Sequence, residues 1–257
     1  MTNAPHLSIE RRDAIAIVRL NRPAKRNALN DPLVEDLGAY FAKPPAGVRA
    51  AVLTGAGEHF CAGLDLGELG ELDAEAGFHH SRMWARAFEA LQFGSLPIVC
   101  VLRGAVIGGG LELACTSHVR VAEPTAFYAL PESQRGIYTG GGASVRLARL
   151  IGTSRMMEMM LTGRVLNAEE GQALALSHYL VGAGEAEARA IALAEKIAGN
   201  APFSNYAIMH ALPRIADMAG GDGLFAESLV AAIAQSSPEA KRRMADFLAK
   251  RAPKTKA

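Results

Sequence analysis

Apolar residues occur in short runs along the first half of the chain. Residues 7–20 alternate between apolar and polar positions, or run apolar, on either side of a turn near Arg12-Asp13, and this pattern predicts a β-hairpin. The runs AAVLT at 50–54 and PIVCVL at 97–102 predict buried strands. Two further short strands are predicted at 119–122 and 126–129.

Helical patterns fill the segments between these strands and dominate the second half. Asn30-Asp31-Pro32 opens a helix that runs through Phe41, because Asn or Asp caps a helix and proline fits its first turn. Strands alternate with helices before the chain becomes almost entirely helical, so we expect an α/β fold. The other predicted helices cover about 78–93, 111–115, 143–150, 153–161, 168–175, 185–199, 203–218, 223–235 and 238–250.

Composition and charge narrow the class of protein. The chain has 257 residues, of which 50% are hydrophobic, and a formal net charge of +1. That charge argues against a nucleic-acid protein whose affinity depends on neutralising phosphates. Residues 1–13 lack the apolar core of a signal peptide, and no apolar run is long enough to cross a bilayer. We therefore expect a cytoplasmic protein that binds neither nucleic acid nor membrane.

The cysteine content excludes two further classes. Cys61, Cys100 and Cys115 form no CxxC pair and are too few for a disulfide framework or a thiolate metal site. Their apolar neighbours predict buried, reduced thiols. We therefore expect no metal centre.

Glycine is the unusual component, with 26 residues. The run Gly108-Gly109-Gly110 follows a predicted strand and precedes a predicted helix, so the backbone can approach a ligand closely and present unpaired N–H groups. Such a site suits an anion, or a carbonyl oxygen that becomes one in a transition state. The residues alone leave open that these glycines only permit close helix–strand packing. The spacing matches neither a GxGxxG dinucleotide motif nor a P-loop.

Two glutamates lie beside glycine-rich turns. Glu112 follows the triple glycine, and Glu132, twenty positions later, precedes a second run at Gly140-Gly141-Gly142. Paired carboxylates with backbone donors nearby are suited to general acid–base chemistry on a carbonyl compound. The sequence therefore favours an enzyme.

Taken together, these segments resemble the crotonase (enoyl-CoA hydratase/isomerase) superfamily. The resemblance covers nearly the whole chain and implies a spiral of ββα turns with a C-terminal helical region. It further implies a core at 1–195 that carries the active site, a trimerisation region at 196–257, and assembly as a homotrimer or as a homohexamer of two trimers. The motifs that carry it are Leu20-Asn21-Arg22-Pro23 with Asn27-Ala28-Leu29, 53–66, 97–122, 127–132, and Leu161-Thr162-Gly163 with Ala168.

The resemblance also implies which residues act on the substrate. It assigns an oxyanion hole to the backbone N–H groups of Leu64 and Gly109, and acid–base roles to Glu112 and Glu132. Possession of both glutamates favours hydration over isomerisation. The N–H of Gly140 matches a position that holds the catalytic water, although a threonine replaces the proline usual beside it. Which glutamate starts as the base is left open by the sequence.

Coenzyme A is implied as part of the substrate, with no permanently bound cofactor. Leu66 departs from the lysine common in hydratases, so a phosphate contact is either missing or supplied by Lys25 or Arg26. We expect Tyr138 to border the acyl group, and His79-His80 to lie at the surface or rim. The residues matching the family's coenzyme A segments are Lys25, Arg26, Ala28, Ala62, Asp65, Leu66, Phe247, Lys250 and Arg251.

Three alternatives remain at this stage. Residues 127–132 with Arg135-Gly136-Ile137 also resemble a branch that hydrates methylthioacryloyl-CoA and then hydrolyses its thioester, so a CoA-thioester hydrolase or lyase stays open. An enoyl-CoA isomerase is the second alternative. An RNA-binding member of the family is the third, but the corresponding helix, 32–41, contains no basic residue and disfavours it.

Overall fold

The computed structural model describes residues 3–4, 6–249 and 251, and divides into two compact units between Ala198 and Gly199. The first unit contains all the strands of the described residues and helices α1 to α7, and the second contains three helices. The strands are β1 Asn3–Ala4, β2 Leu7–Arg12, β3 Ile15–Leu20, β4 Ala50–Gly55, β5 Ile98–Leu102, β6 Ala105–Ile107, β7 Val119–Ala122, β8 Phe127–Ala129 and β9 Tyr179–Leu180. The helices are α1 Asp31–Ala42, α2 Ala74–Gln92, α3 Gly109–Ala114, α4 Ala143–Ile151, α5 Thr153–Thr162, α6 Ala168–Ala173, α7 Ala186–Ala198, α8 Pro202–Ile215, α9 Gly220–Ser236 and α10 Pro238–Leu248.

Seven of these strands form one sheet in the order β1-β2-β3-β4-β5-β7-β9. The pairs from β1 to β3 are antiparallel, and the pairs from β3 to β9 are parallel. Strands β6 and β8 pair with each other in a separate, parallel two-stranded sheet. The mixed α/β prediction is confirmed.

The two faces of the main sheet are covered by different kinds of side chain. Alternate residues of β3, Ile15 and Ile17, pack with valines of the neighbouring strands against α7. That helix presents alanines at every fourth position from Ala186 to Ala198, and small side chains let it approach the sheet closely. The opposite face packs against the larger apolar residues of α1 and α2. The sheet is therefore buried on both faces, as its mostly parallel pairing requires.

Most predicted elements are confirmed, and the differences have local causes. The side chain of Asn30 caps α1 as predicted, by accepting a hydrogen bond from the amide of Leu33 at 3.2 Å. Helix α2 begins at Ala74, four residues earlier than predicted, because Asp73 caps it through the amide of Ala76 at 2.8 Å. Strands β6 and β9 were not predicted, because three or two residues show no periodicity.

Candidate active site

The small sheet of β6 and β8 places two site segments side by side. Its strands are parallel and pair Ile107 with Ala129 at their ends, and the amide of Gly108 extends the pairing to the carbonyl of Ala129 at 2.9 Å. Gly108 has a φ of 52°, and a Cβ built on it would lie 2.9 Å from Oε1 of Glu132. Because the strands end at one edge, the glycine run after β6 meets the glutamate that follows β8.

Two backbone amides, those of Leu64 and Gly109, lie near each other at the same edge. The loop after β4 is bonded to β6, since Cys61 donates to the carbonyl of Ala105 at 2.9 Å. Gly63 has a φ of 87°, and a Cβ on it would lie 3.2 Å from the amide nitrogen of Gly109; likewise, a Cβ on Gly109 would lie 3.5 Å from the amide nitrogen of Leu64. Among the described residues, neither the Leu64 nor the Gly109 amide donates to a protein acceptor. The pair is available to a ligand oxygen.

Glu112 is buried and held by backbone donors. Its Oε1 accepts hydrogen bonds from the amides of Gly141 and Ala143, both at 2.9 Å. Burial raises the pKa of Glu112, while these amides and the charge of Arg146 act to lower it. The glycine run 140–142 thus stabilises the ionised form of a carboxylate that the protein interior disfavours.

Glu132 is also buried and has less support, which its own backbone amide supplies. Its Oε2 has no hydrogen-bond partner among the described residues. Burial, together with the charge of Glu112, raises the pKa of Glu132 to about 7, while its own backbone amide and the charge of Arg135 act to lower it. The pKa values of both carboxyl groups are therefore raised, and the two groups differ in their hydrogen bonds: Glu112 has two amide donors from another segment, and Oε2 of Glu132 has none.

Arg146 supports the segment that holds Glu112, a role that no sequence motif indicated. Its Nη1 donates to the carbonyl of Gly141 at 2.7 Å, and its Nε donates to Oε1 of Gln92 at 2.5 Å. Both backbone polar groups of Gly141 are therefore held: its carbonyl accepts from the guanidinium of Arg146, and its amide donates to the carboxylate of Glu112.

These groups line one cavity of about 340 Å³. Leu64, Gly109, Glu112, Glu132 and Gly140 all contribute to its wall, which contains both carboxyl groups and both free amides. The rest of the wall consists of apolar side chains, small residues and a few polar ones: Leu69, Leu72, Gly77, His80, Ser81, Trp84, Ile137, Tyr138, Thr139 and Gly141. Tyr138, predicted to border the acyl group, is at the mouth and 70% exposed.

A second cavity, of about 380 Å³, shares part of this wall. The two cavities have Leu64, Gly109, Glu132 and Ile137 in common. Six residues of the second were predicted as coenzyme A contacts: Lys25, Arg26, Ala28, Ala62, Asp65 and Leu66. Arg135 also lines it and was not predicted. An apolar pocket with acid–base groups thus adjoins a cavity that carries three basic side chains.

Comparison with known proteins shows the family. The model of the enoyl-CoA hydratase/isomerase family matches residues 10–257. The chain belongs to this family. It is similar to the enoyl-CoA hydratase EchA19 of Mycobacterium tuberculosis, with 30% identity, covering 98% of this chain and 96% of that protein. It is also similar to the 2,3-dehydroadipyl-CoA hydratase of Escherichia coli, with 32% identity over 96% of this chain and 97% of that protein.

Solved structures of the family share the fold. A crystal structure of a proposed enoyl-CoA hydratase from Rhodopseudomonas palustris has a TM-score of 0.94 and 50% identity, covering 96% of this chain and 95% of that one. The predicted membership of the crotonase superfamily and its fold are confirmed.

The remaining predicted contacts lie near the C-terminus. Phe247 is in α10 and 63% exposed, and Arg251 pairs with Asp246 at 2.9 Å. Lys250 lies outside the described residues.

Two observations bear on other expectations. No helix of the described residues is long and apolar enough to cross a membrane. Among the residues that the structure describes, no group of three or more His, Cys, Asp or Glu side chains could hold a metal ion. His79 is exposed and His80 lines the cavity, in line with the surface or rim position predicted for the two histidines.

Proposed function

We propose that this protein is an enoyl-CoA hydratase in which Glu112 and Glu132 are the acid–base pair. The observation that supports this most directly is the meeting of two buried carboxyl groups and two unpaired amides in one largely apolar cavity. A hydratase requires this combination, because water must be activated and a carbon protonated while a thioester carbonyl is polarised.

The amides of Leu64 and Gly109 bind the thioester oxygen. Conjugation of the carbonyl with the 2,3 double bond lets these donors withdraw electrons from the β-carbon, which becomes open to attack. Charge then accumulates on the same oxygen as the enolate forms, so the two hydrogen bonds strengthen toward the transition state.

Glu112 accepts the proton of the attacking water, and Glu132 donates a proton to the α-carbon. The water oxygen forms a bond to the β-carbon, the double-bond electrons move through the α-carbon to the thioester oxygen, and the enolate collapses as the α-carbon is protonated. This assignment follows the hydrogen bonds: Glu112 has backbone donors that favour a carboxylate, and Glu132 has a pKa of about 7 and no donor on Oε2. The N–H of Gly140, on the cavity wall beside them, helps to hold the water.

Coenzyme A occupies the second cavity as part of the substrate, and no cofactor is permanently bound. Lys25, Arg26 and Arg135 supply positive charge there, which offsets the leucine at position 66. The coenzyme A part of the substrate is bordered in this cavity by Ala28, Ala62, Asp65 and Leu66. Asp65 orients Lys25 through an ion pair of 3.2 Å. The family resemblance alone supports a role in coenzyme A binding for Phe247, Lys250 and Arg251.

The region 196–257 serves in trimerisation, and the protein works as a homotrimer or a homohexamer in the cytoplasm. Exposed apolar side chains on the second unit support this proposal, because patches of this kind mark association surfaces. They include Ile208, Leu212, Leu224, Phe225, Leu229 and Ile233. Sedimentation of the purified protein tests the assembly.

Crotonyl-CoA tests the reaction. Loss of the conjugated double bond is followed by absorbance, and free thiol is followed in parallel. We expect hydration without thiol release, and a decrease of about 10²–10⁴ in kcat for Glu112→Gln or Glu132→Gln. Glu35→Gln, on the exposed side of α1, is the matched control and should match the unaltered protein. Thiol release coupled to turnover would favour the thioester hydrolase, and full activity of both active-site variants would refute the assignment.

A further inference from the structure

The amide of Leu64, one of the two donors proposed to bind the thioester oxygen, belongs to a loop that a second segment holds on both sides. Leu29 donates its amide to the carbonyl of Gly63 at 2.7 Å and accepts a hydrogen bond from the amide of Asp65 at 2.8 Å. Leu29 and Leu64 thus form a parallel bridge. Because successive N–H groups of an extended chain point to opposite sides, the N–H of Leu64 points away from Leu29. The position of this donor therefore depends on the segment that contains Leu29.

Arg22 joins the two segments through one guanidinium group. Its Nη1 donates to the carbonyl of Ala28 at 2.6 Å, and its Nη2 donates to Oδ2 of Asp65 at 3.0 Å. Ala28 precedes Leu29 in the chain, and Asp65 follows Leu64. Because a guanidinium is planar and rigid, these two contacts set the spacing between the segments beside the free amide.

The backbone of Arg22 is itself held in place. Its amide donates to Oδ1 of Asn27 at 3.0 Å, and its carbonyl accepts from the amide of Asn27 at 2.9 Å. The side-chain amide of Asn27 donates to the carbonyls of Ala56 at 2.9 Å and His59 at 2.8 Å. The arginine therefore projects from a backbone that is bonded to the loop after β4, which is the loop that carries Leu64.

The ion pair with Asp65 is shielded from solvent. The side chain of Arg22 is 11% exposed and that of Asp65 is 7% exposed, so the pair differs from a surface ion pair, which contributes little. Lys25 also pairs with Asp65, at 3.2 Å, but its side chain is 54% exposed and contacts only carboxylates among the described residues. A lysine suffices to balance the charge of Asp65, whereas only a fork of donors reaches a carbonyl and a carboxylate together.

Arg22 acts on the substrate only through the segments that it joins, because it lines neither the acyl cavity nor the coenzyme A cavity. A displaced Leu64 N–H weakens one hydrogen bond to the thioester oxygen. That oxygen gains charge as the enolate forms, so the loss is greater in the transition state than in the bound substrate. Turnover should therefore suffer more than substrate binding.

We propose that Arg22 is a positioning residue of the oxyanion hole. Its guanidinium, bound to Ala28 and Asp65 together, holds the N–H of Leu64 where the thioester oxygen binds. The inference rests on the proposed hydratase function. It requires the forked guanidinium, so a lysine at this position does not replace the arginine.

Steady-state kinetics with crotonyl-CoA provide the first test. Arg22→Met removes both contacts, and we expect kcat to fall about 10- to 100-fold, the effect of a small misplacement, while KM changes less. Arg22→Lys keeps the charge but not the fork, and its kcat should also fall. Arg12→Met, at an exposed arginine that pairs with Glu10 at 2.6 Å, is the matched control and should keep the kcat of the unaltered protein. An unchanged kcat in both Arg22 variants would overturn the proposal.

A bound chromophore reports on the amide directly. In para-dimethylaminocinnamoyl-CoA, the amino group donates electrons through the double bond to the thioester carbonyl, so hydrogen bonds to that carbonyl move the absorption band to longer wavelength. We expect this red shift in the unaltered protein and in Arg12→Met, and a smaller shift in Arg22→Met and Arg22→Lys. Loss of folded protein lowers the intensity of the bound band without moving it. The band position therefore separates positioning from a merely structural role.

The outcomes separate this inference from the function on which it rests. Absence of hydration by the unaltered protein would refute the hydratase proposal, whatever the Arg22 variants do. Normal hydration, with the same band position in the unaltered protein and in a folded Arg22 variant, would overturn the role of Arg22 alone. If Arg22→Met does not fold, the band position in Arg22→Lys gives the same decision.

Discussion

Glu112 and Glu132 line one cavity but are held in opposite ways: Glu112 accepts two backbone N–H groups at 2.9 Å, whereas Oε2 of Glu132 is buried without a partner. The difference arises from the chain around them. Glu112 faces the turn 140–142, which brings amide donors, and Glu132 lies over Gly108, which has no side chain to offer. Two identical side chains thereby acquire different tendencies to hold a proton.

The value of kcat/KM should fall as the pH rises above neutrality, which gives the pH profile an alkaline limb. Burial and the charge of Glu112 raise the pKa of Glu132 to about 7, so its proton is present below that pH and is lost above it. If Glu132 is the proton donor, kcat/KM falls by about tenfold per pH unit above this limb. A pH profile with crotonyl-CoA measures this, and a constant kcat/KM through neutral and alkaline pH would contradict it.

Replacing Glu132 should stabilise the fold at neutral and alkaline pH. The pKa of this carboxyl group is higher in the folded protein than in the unfolded protein, where it is about 4.3. Below that pH the group is protonated in both states and costs no stability. Stability is lost as the pH rises from there through the folded value of about 7. The free energy of unfolding of Glu132→Gln should therefore equal that of the unaltered protein in acid and exceed it by roughly 1–3 kcal/mol above pH 7. This range is smaller than a conversion at about 1.36 kcal/mol per pKa unit gives, because the carboxyl group borders an open cavity.

Urea unfolding at several pH values measures the difference. Curves for Glu132→Gln and the unaltered protein that remain parallel from acid to alkaline pH would show that Glu132 is not strained by burial. Glu35→Gln again serves as the exposed control.

Arg146 should act on the reaction through Glu112. Arg146→Met removes the donor that fixes the carbonyl of Gly141 and a positive charge that lowers the pKa of Glu112. We expect kcat to fall by about 10²-fold, the effect of a small misplacement, and the acid limb of the pH profile to move to higher pH. Arg149→Met, an exposed position on the same helix, is the control. An active Arg146→Met protein with an unmoved acid limb would exclude the role.

The amide pair should be sensitive to a single methyl group. Gly63 has a φ of 87°, and its Cβ would lie 2.6 Å from the carbonyl oxygen of Ile107 and 3.2 Å from the amide nitrogen of Gly109. Gly63→Ala must therefore displace one of the two donors, and we expect kcat to fall by about 10²–10³. Gly220→Ala, where a Cβ meets nothing within 4 Å, should leave kcat unchanged in the same assay.

The sequence predicted the local structure where one segment carries its own signal. Asn30 marks the start of α1 because a helix cap depends on neighbouring residues alone, and the run at 50–54 reads as a strand because burial on both faces makes it continuously apolar. The start of α2 and strand β6 were missed, because an exposed first turn and a three-residue strand have no periodicity. Strand β6 is nevertheless the element that joins Gly108 to Glu132.

The sequence by itself determined the fold class, the family resemblance and the pair of glutamates, since these depend on residue types in a fixed order. Tertiary structure alone decided how the pair differs, because hydrogen bonds to Glu112 come from residues about thirty positions away. It alone joined Asp31 to His80, 49 positions apart. Charge and hydrogen bonding act over a few ångströms in space, and only the folded chain specifies which residues are that close.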